Sequence, residues 1–134
     1  MIKDKNTKKD FDLWNSRKKQ VHNFGKNTFY KQREIWWCDL GVNIGFEQDG
    51  GKNNRRPVLV LKGFSREVCL VVPLTTSHKK ENKYYFKIGK IGKQKASVVI
   101  SQVRLIDTKR FISRIEIMHK KTFEEIRKAI KNLI

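Results

Sequence analysis

The chain lacks any apolar stretch long enough to cross a bilayer, and residues 1–6 lead into charge instead of the apolar core of a signal peptide. These absences argue against export and membrane insertion, so we expect a cytoplasmic protein with no membrane partner.

Cysteine is scarce as well. Cys38 and Cys69 are separated by thirty-one positions and lie in apolar runs, which indicates neither a zinc site nor a disulfide framework. We therefore expect two buried free thiols.

Acidic residues are also few. The 134 residues include 13 Asp and Glu against 31 Lys and Arg, which gives a formal net charge of +18. The excess is spread along the chain and not held in one tail, as on a folded basic surface. A polyanionic partner, most commonly nucleic acid, is the leading expectation, and the alternative is an ordinary solvated surface. The length fits one domain, and 38% hydrophobic with 33% charged residues is typical of a globular chain.

Apolar residues recur at helical spacing between residues 7 and 21 and again near the C-terminus. The members are Phe11, Trp14 and Val21 in the first segment and Phe123, Ile126, Ile130 and Leu133 in the second. Thr7 with Asp10, and Thr122 with Glu125, are spaced as in a capping box. We expect an amphipathic helix at each end, and the aromatic residues of the first helix should pack on the rest of the domain.

Between these helices the composition turns to strand formers. Five runs are predicted as strands: residues 35–40, 57–61, 68–74, 84–88 and 96–103. Short strands at close intervals predict a small antiparallel barrel. Several runs are apolar on both faces, which requires a cover on each side. The C-terminal helix can supply one cover and a subunit partner the other. The expected fold class is therefore mainly β, a β-barrel with flanking helices.

Arg56 stands between a polar, glycine-rich loop at residues 45–54 and the apolar strand that begins at Pro57. Proline disfavours the helical conformation of the residue before it, so Arg56 should be extended, with its guanidinium at the rim of a sheet. A permanently charged fork in that place is a natural phosphate ligand. Because the loop is long for a hairpin, we expect it to close over a ligand.

Five motifs follow one another along the chain: REIWWCDL at 33–40, GFEQ at 45–48, RPVLV at 56–60, VPLTT at 72–76 and SVVISQVRLID at 97–107. Their order and approximate spacing resemble those of the MazF/PemK toxin endoribonucleases of bacterial toxin-antitoxin systems. The resemblance implies an SH3-like small antiparallel barrel with a C-terminal helix over residues 33–134. Residues 1–32 form an extra helical extension that the minimal family domain lacks.

The function that the resemblance implies is the toxin of a type II toxin-antitoxin system. Such a toxin is a homodimeric endoribonuclease that cleaves single-stranded RNA at short motifs and inhibits growth. The 2′-hydroxyl of the RNA attacks its own phosphate, so neither a metal nor a cofactor is expected. The implied partner is a cognate antitoxin, which lays an acidic segment over the basic RNA groove. Operator DNA is expected only through the antitoxin complex.

The family's functional residues transfer onto matching positions of this sequence. Arg56 matches the catalytic arginine, whose two donors suit the oxygens of a pentacovalent phosphate, and Thr75 matches the catalytic threonine. Glu47 is a third catalytic candidate, either positioning Arg56 or transferring a proton, against the alternative of a solvated loop acid. Arg56 itself is a poor general base, so the proton donor and acceptor stay unassigned. The RNA-binding candidates are Gln48, Arg55, Thr76, Lys79, Lys80, Gln102 and Arg104.

Two other classes of function stay open. One is a CcdB-like gyrase-inhibiting toxin with the same barrel, and the other is a noncatalytic nucleic-acid-binding module. The motifs around Arg56 and Thr75 favour the ribonuclease. Trp36 and Trp37 could stack on unpaired bases, but neighbouring residues of a strand point to opposite faces. We expect one of the two in the core and the other near a groove or a dimer contact.

Overall fold

The computed structural model describes residues 10–41, 55–76 and 83–134. The elements in these ranges are α1 (Phe11–Phe24), β1 (Glu34–Asp39), β2 (Arg55–Gly63), β3 (Val68–Thr75), β4 (Tyr85–Ile91), β5 (Gln94–Val99), β6 (Arg104–Asp107), β7 (Phe111–Ile117) and α2 (Lys120–Lys131). A 3-10 turn, Thr108–Arg110, joins β6 to β7. None of the helices in these ranges is long and apolar enough to cross a membrane.

The strands form one curled antiparallel sheet in the order β4-β5-β3-β2-β1-β7, and β6 pairs with β3. Strand β3 has two partners along one edge. Its first half pairs with β6, with Val68 opposite Asp107, and its last residues pair with β5, with Leu74 opposite Val98. The expected mainly β fold with a helix at each end is confirmed.

Alternate residues of the central strands fill two apolar clusters, one on each side of the sheet. The first lies under α2, which inserts Phe123 and Ile126, and it includes Ile35, Leu59, Val72, Leu74 and Val98. The second consists of Trp36, Cys38, Leu40, Val58, Val60, Cys69, Val71, Ile106 and Phe111. All members of the second cluster are already buried in a single chain, so a subunit partner is not needed to cover them.

The tryptophan pair divides as expected. Trp36 is 8% exposed and stacks on Phe111 with ring centroids 5.1 Å apart, whereas Trp37 is 41% exposed.

Both cysteines are free and buried, which confirms the expectation of two buried thiols. Burial raises the pKa of each thiol to about 12.

A buried carboxylate ties β1 to β7. Glu34 is 3% exposed and forms an ion pair with Arg114, with Nη1 3.0 Å from Oε2. Its other oxygen accepts hydrogen bonds from the backbone N–H of Lys31 at 2.6 Å and from Nε1 of Trp36 at 3.1 Å. Burial alone would raise the pKa of Glu34, but these hydrogen bonds and the Arg114 charge outweigh it, so the pKa lies below its usual value.

Two strands differ from the sequence-based expectation. The run predicted as one strand over residues 96–103 ends at Val99, and the chain turns before β6 begins at Arg104. Strand β7 was not predicted, because Arg114 and Glu116 interrupt its apolar pattern. The sheet accepts these charges since β7 is at its edge and pairs with β1 alone among the strands of the described ranges.

Both predicted capping boxes are wrong. Asp10 is itself the N-cap of α1, because its Oδ1 accepts the N–H of Leu13 at 2.9 Å. Helix α2 begins two residues before Thr122, and Nδ1 of His119 accepts the N–H of Lys121 at 3.3 Å. The threonine and glutamate at 122 and 125 are therefore interior residues of α2.

Helix α1 is attached to the sheet by one of its two predicted aromatic residues. Trp14 is 4% exposed, while Phe11 is 48% exposed. The Trp14 ring lies against the backbone of Gly41, the residue that follows Leu40 near the end of β1. A Cβ placed on Gly41 would lie 1.8 Å from Cε2 of Trp14, so glycine is what allows this contact.

Candidate functional site

Arg56 and Thr75 meet at one end of the β2–β3 pair. The paired part of β2 and β3 ends where Val58 lies opposite Pro73, and alternation along each strand places Arg56 and Thr75 on the same sheet face, each two residues beyond that pair. The Arg56 side chain is half-buried and donates from Nη1 to the carbonyl oxygen of Leu74 at 3.3 Å. Thr75 is 8% exposed. The structure therefore brings together two residues that the sequence separates by eighteen positions.

The register continues this row across the sheet. Thr75 lies opposite Ser97 of β5, and Ser97 lies opposite Lys87 of β4. Directly opposite residues project from the same face, so Arg56, Thr75, Ser97 and Lys87 present a line of hydroxyl and cationic groups. Ser97 and Lys87 were not singled out from the sequence. The only local signal was a serine in an apolar strand, and the pairing of β3 with β5 is not visible in sequence.

An open cleft of about 600 Å³ lies beside this row, where β3 ends. Thr76 forms one wall, and the β4–β5 hairpin supplies the others through Lys90, Lys93, Gln94 and Lys95. Thr76 was an RNA-binding candidate, whereas the three lysines were not. They looked like ordinary surface residues in a lysine-rich stretch, and only the fold of the hairpin brings them next to Thr76.

Two further RNA-binding candidates lie on and before β6. Arg104 is opposite Val71, and alternation along β3 places it on the same sheet face as Thr75, about 13 Å along the strand. Gln102 lies in the turn that precedes β6, where its backbone N–H donates to the carbonyl of Val99 at 3.0 Å. Both side chains are half-buried. Arg104 also lies close enough to lower the pKa of Cys38 slightly against the dominant effect of burial.

Arg55, the neighbour of Arg56, belongs to a cluster of charges around Asp39. The Asp39 side chain is 5% exposed, and Nη2 of Arg17 approaches its Oδ2 to 3.2 Å. Arg55 lies opposite Asp39 in the sheet, with Nε 3.5 Å from Oδ1. This contact is an ion pair without hydrogen-bond geometry, since Nε of Arg55 is buried and has no hydrogen-bond partner among the described residues. Arg110 adds a hydrogen bond from Nη1 to the Asp39 carbonyl at 2.9 Å.

The Asp39 cluster joins the N-terminal helix to the candidate site. Arg17 comes from α1, Arg110 from the turn before β7, and Arg55 from the start of β2. The Arg55 side chain is still 37% exposed, so its guanidinium can reach solvent while it remains beside Asp39. The remaining candidates, Glu47, Gln48, Lys79 and Lys80, lie outside the described residues, as does the loop at residues 45–54.

These features define a small curled β-barrel with flanking helices and a basic, hydroxyl-bearing row at one end of its central strands. The sequence model described as PemK-like, MazF-like toxin of type II toxin-antitoxin systems matches residues 31–134. The chain belongs to this family. In sequence alone, no curated protein matches it significantly.

Solved structures of MazF toxins share the fold. The chain superposes on MazF from Deinococcus radiodurans with a TM-score of 0.65 at 19% identity, over 79% of this chain and 96% of that one. The toxin MazF-mt6 of Mycobacterium tuberculosis gives a TM-score of 0.58 at 18% identity, over 75% and 94%. A mycobacterial endoribonuclease in complex with its cognate antitoxin gives 0.59 at 15% identity, over 78% and 93%.

Proposed function

We propose that this toxin is an endoribonuclease that cleaves single-stranded RNA without a metal ion, with Arg56 and Thr75 as its catalytic residues. The observation that carries the proposal is the contact of the Arg56 guanidinium with the carbonyl of Leu74, which brings the cation next to Thr75 where β3 ends. A permanent cation and a hydroxyl donor on one face, next to a lysine-lined cleft, suit a phosphodiester at the moment its charge increases.

In the proposed reaction the 2′-hydroxyl of the RNA attacks the adjacent phosphorus, and the 5′-oxygen of the next nucleotide leaves. The products are a 2′,3′-cyclic phosphate and a 5′-hydroxyl. Arg56 donates to the nonbridging oxygens as they gain charge, and its contact with the Leu74 carbonyl orients the guanidinium at the strand end. The Thr75 hydroxyl donates to a nonbridging oxygen. Glu47 is proposed to orient Arg56 or to transfer a proton.

The RNA strand is proposed to cross the row that runs from Arg56 to Lys87. Thr76 and the lysines of the β4–β5 hairpin would contact phosphates on one side, and Arg104 and Gln102 would contact the strand near β6. Gln48, Arg55, Lys79 and Lys80 complete the proposed RNA contacts. Because most of these groups are cations or neutral donors, they hold the backbone in place, and base preference must come from closer contacts.

The proposed partners follow the family. A structure of similar fold is an endoribonuclease with its cognate antitoxin, which supports an antitoxin with an acidic segment as the partner of this basic chain. We also propose a homodimer, for which the 41% exposed Trp37 on β1 is a candidate contact. Operator DNA would be bound only through the antitoxin complex. Residues 33–134 would form the toxin domain and residues 1–32 its extension.

The test is cleavage of a diverse single-stranded RNA pool in excess chelator, followed by sequencing of the new ends. We expect cleavage by the purified protein with cyclic phosphate and 5′-hydroxyl ends. Arg56→Ala should lower kcat by about 100-fold or more, because it removes the main donor to the transition state, while RNA binding weakens by less than about tenfold. Thr75→Val should lower kcat by a smaller factor. Arg127→Ala, at an exposed ion pair on α2, is the control.

The outcomes separate the candidate functions. Absence of cleavage across the whole pool, or full activity of Arg56→Ala, would overturn the endoribonuclease. Inhibition of gyrase supercoiling by the same preparation would identify the CcdB-like alternative. RNA binding by a folded protein without any cleavage would favour the noncatalytic binding module.

A further inference from the structure

Helix α1 and the Thr108–Arg110 turn enclose a cavity of about 350 Å³ outside the proposed catalytic row. Trp14 and Val21 supply its apolar wall. The rim carries four lysine and arginine side chains, Lys18, Lys19, Lys109 and Arg110. We call this rim and wall the α1 groove. Its size is that of a small ligand site, and its charge is that of a site for an anion.

The positive charge of the α1 groove is largely uncompensated from within. Asp107 is its one acidic lining residue in the described part of the chain. The Asp107 Oδ1 already accepts hydrogen bonds from Nδ2 of Asn27 at 3.0 Å and from the N–H of Lys109 at 2.8 Å. Lys18 and Lys19 lie on the exposed face of α1. A single engaged carboxylate against four cations leaves a strongly positive rim.

The α1 groove is directly connected to the proposed catalytic strand. Arg110, at its rim, donates to the carbonyl of Asp39, and Asp39 lies opposite Arg55, the neighbour of Arg56. Arg17 ties α1 to the same carboxylate at 3.2 Å. The cations therefore extend from the start of β2, where Arg55 and Arg56 project to opposite faces of the strand, over Arg110 to the lysines of α1.

We infer that the α1 groove binds phosphates of the single-stranded RNA that flanks the cleaved bond. This inference rests on the proposed function. An RNA chain held at Arg56 is longer than the site and must leave it, and a polyanion follows the nearest continuous line of cations. The N-terminal extension would then lengthen the RNA footprint of the barrel, and its contribution would be seen only with substrates long enough to reach α1.

The test compares two substrates that share one cleavage site, a short RNA of about 6 nucleotides and a long one of about 25. In Lys18→Glu/Lys19→Glu, made in the full chain, KM for the long RNA should rise by about tenfold, since two phosphate contacts become repulsive. The kcat for both substrates and the KM for the short RNA should stay within about twofold. The matched control is Lys120→Glu/Lys121→Glu, which makes the same charge change on two adjacent exposed lysines of α2.

The salt dependence of RNA affinity is a second measurement, and a loss of folding would not produce the same change in it. In the Arg56→Ala background, in which cleavage is expected to be at least about 100-fold slower, affinity for the long RNA should fall less steeply with salt after the α1 substitutions. The slope of log affinity against log salt should lose about one unit. Circular dichroism should show that both double variants remain folded.

The inference and the proposed function fail in distinguishable ways. If the unmodified protein cleaves neither RNA, the proposed function fails. If it cleaves both, and the α1 double variant matches the α2 control in KM and in salt slope, the α1 groove does not bind RNA. If the α1 variant keeps its affinity for long RNA and loses only its affinity for a poly-glutamate peptide, the groove is a site for an acidic polypeptide and the inference is overturned.

Discussion

At the scale of single residues, the packing of Trp14 from the N-terminal helix requires a glycine at position 41. Its φ of +76° already favours glycine, and the Trp14 ring occupies the place where a Cβ would stand. Two separate costs therefore fall on any substitution, one from the backbone and one from the contact.

A matched pair of variants separates these costs. Gly89 has a φ of +80°, and no atom of the described residues lies within 4 Å of its added Cβ, so Gly89→Ala tests the backbone alone. We expect Gly89→Ala to lower the free energy of unfolding by about 1 kcal/mol, and Gly41→Ala to lower it by about 3 kcal/mol, as measured by urea unfolding. In a Trp14→Ala background the excess at Gly41 should largely disappear. Equal losses at the two glycines would contradict the proposed contact.

The local pattern of an arginine before proline pointed to Arg56, whereas Thr75 was predicted from its match to the threonine motif of the family. The sequence did not locate Ser97, Lys87 or the lysines of the β4–β5 hairpin. Their membership depends on which strands are neighbours, and the order β4-β5-β3-β2 is a property of the folded sheet. Residue types and local turn or strand-end signals can be recognised in a sequence, whereas the pairing of residues on neighbouring strands cannot.

At the scale of elements, β7 is held to β1 partly by the Glu34 carboxylate. Glu34 accepts three hydrogen bonds in a site where it is almost fully buried, and Arg114 of β7 is one of the donors. Loss of the charge would leave these donors poorly matched. An edge strand whose outer side is open depends strongly on such an anchor.

Glu34→Gln should lower the free energy of unfolding at pH 7 by about 1–3 kcal/mol, whereas Glu124→Gln, at an exposed pair, should cost less than about 0.5 kcal/mol. Because the folded pKa of Glu34 is lowered, its stabilisation is complete above the unfolded value and is lost as pH falls through the folded value. The difference between the wild type and Glu34→Gln should thus shrink below about pH 4. Urea unfolding from pH 3 to pH 7 measures it, and a constant difference would contradict the anchor.

Element existence was easier to predict than element boundaries. The apolar runs of β1, β2 and β3 were predicted correctly, but β1 was placed one residue too far along the chain and β2 and β3 were placed too short. Arg55 and Lys62 extend β2 beyond its apolar part. The helix starts were misplaced because Asp10 and His119 cap through their own side chains, and a histidine cap has no spacing signature. The ends of strands and helices are set by backbone pairing and by capping side chains, and the pattern of apolar residues does not show where these ends lie.

At the scale of the whole molecule, the net charge of +18 would make the proposed interaction with RNA strongly electrostatic. Each phosphate contact releases counterions, so affinity for single-stranded RNA falls with salt at a slope of about −0.7 per contact. We expect kcat/KM for RNA cleavage to fall by at least about tenfold between 50 and 200 mM salt, with kcat changing little. Steady-state kinetics over that range test this, and a flat kcat/KM would show that phosphate contacts contribute little.

The composition predicted a basic globular chain, and the order of five motifs predicted its barrel and its family. Neither the composition nor the motifs predicted how the N-terminal extension is attached to the barrel. Residues 10–30 have no counterpart in the family's minimal domain, and the contacts that hold α1, Trp14 on Gly41 and Arg17 on Asp39, join positions more than twenty residues apart. Such pairs become visible only in three dimensions.

Cys38 lies opposite Arg56 in the sheet, and it is fully buried with its thiol pKa raised to about 12. At neutral pH an alkylating reagent can reach this sulfur only when the apolar cluster around it opens, so the rate of modification measures how often that opening occurs. The thiol of Cys38 is thus a natural reporter of local opening beside the proposed catalytic arginine. A bound molecule that holds β1 and β2 together would lower the rate of its modification, and no label has to be introduced.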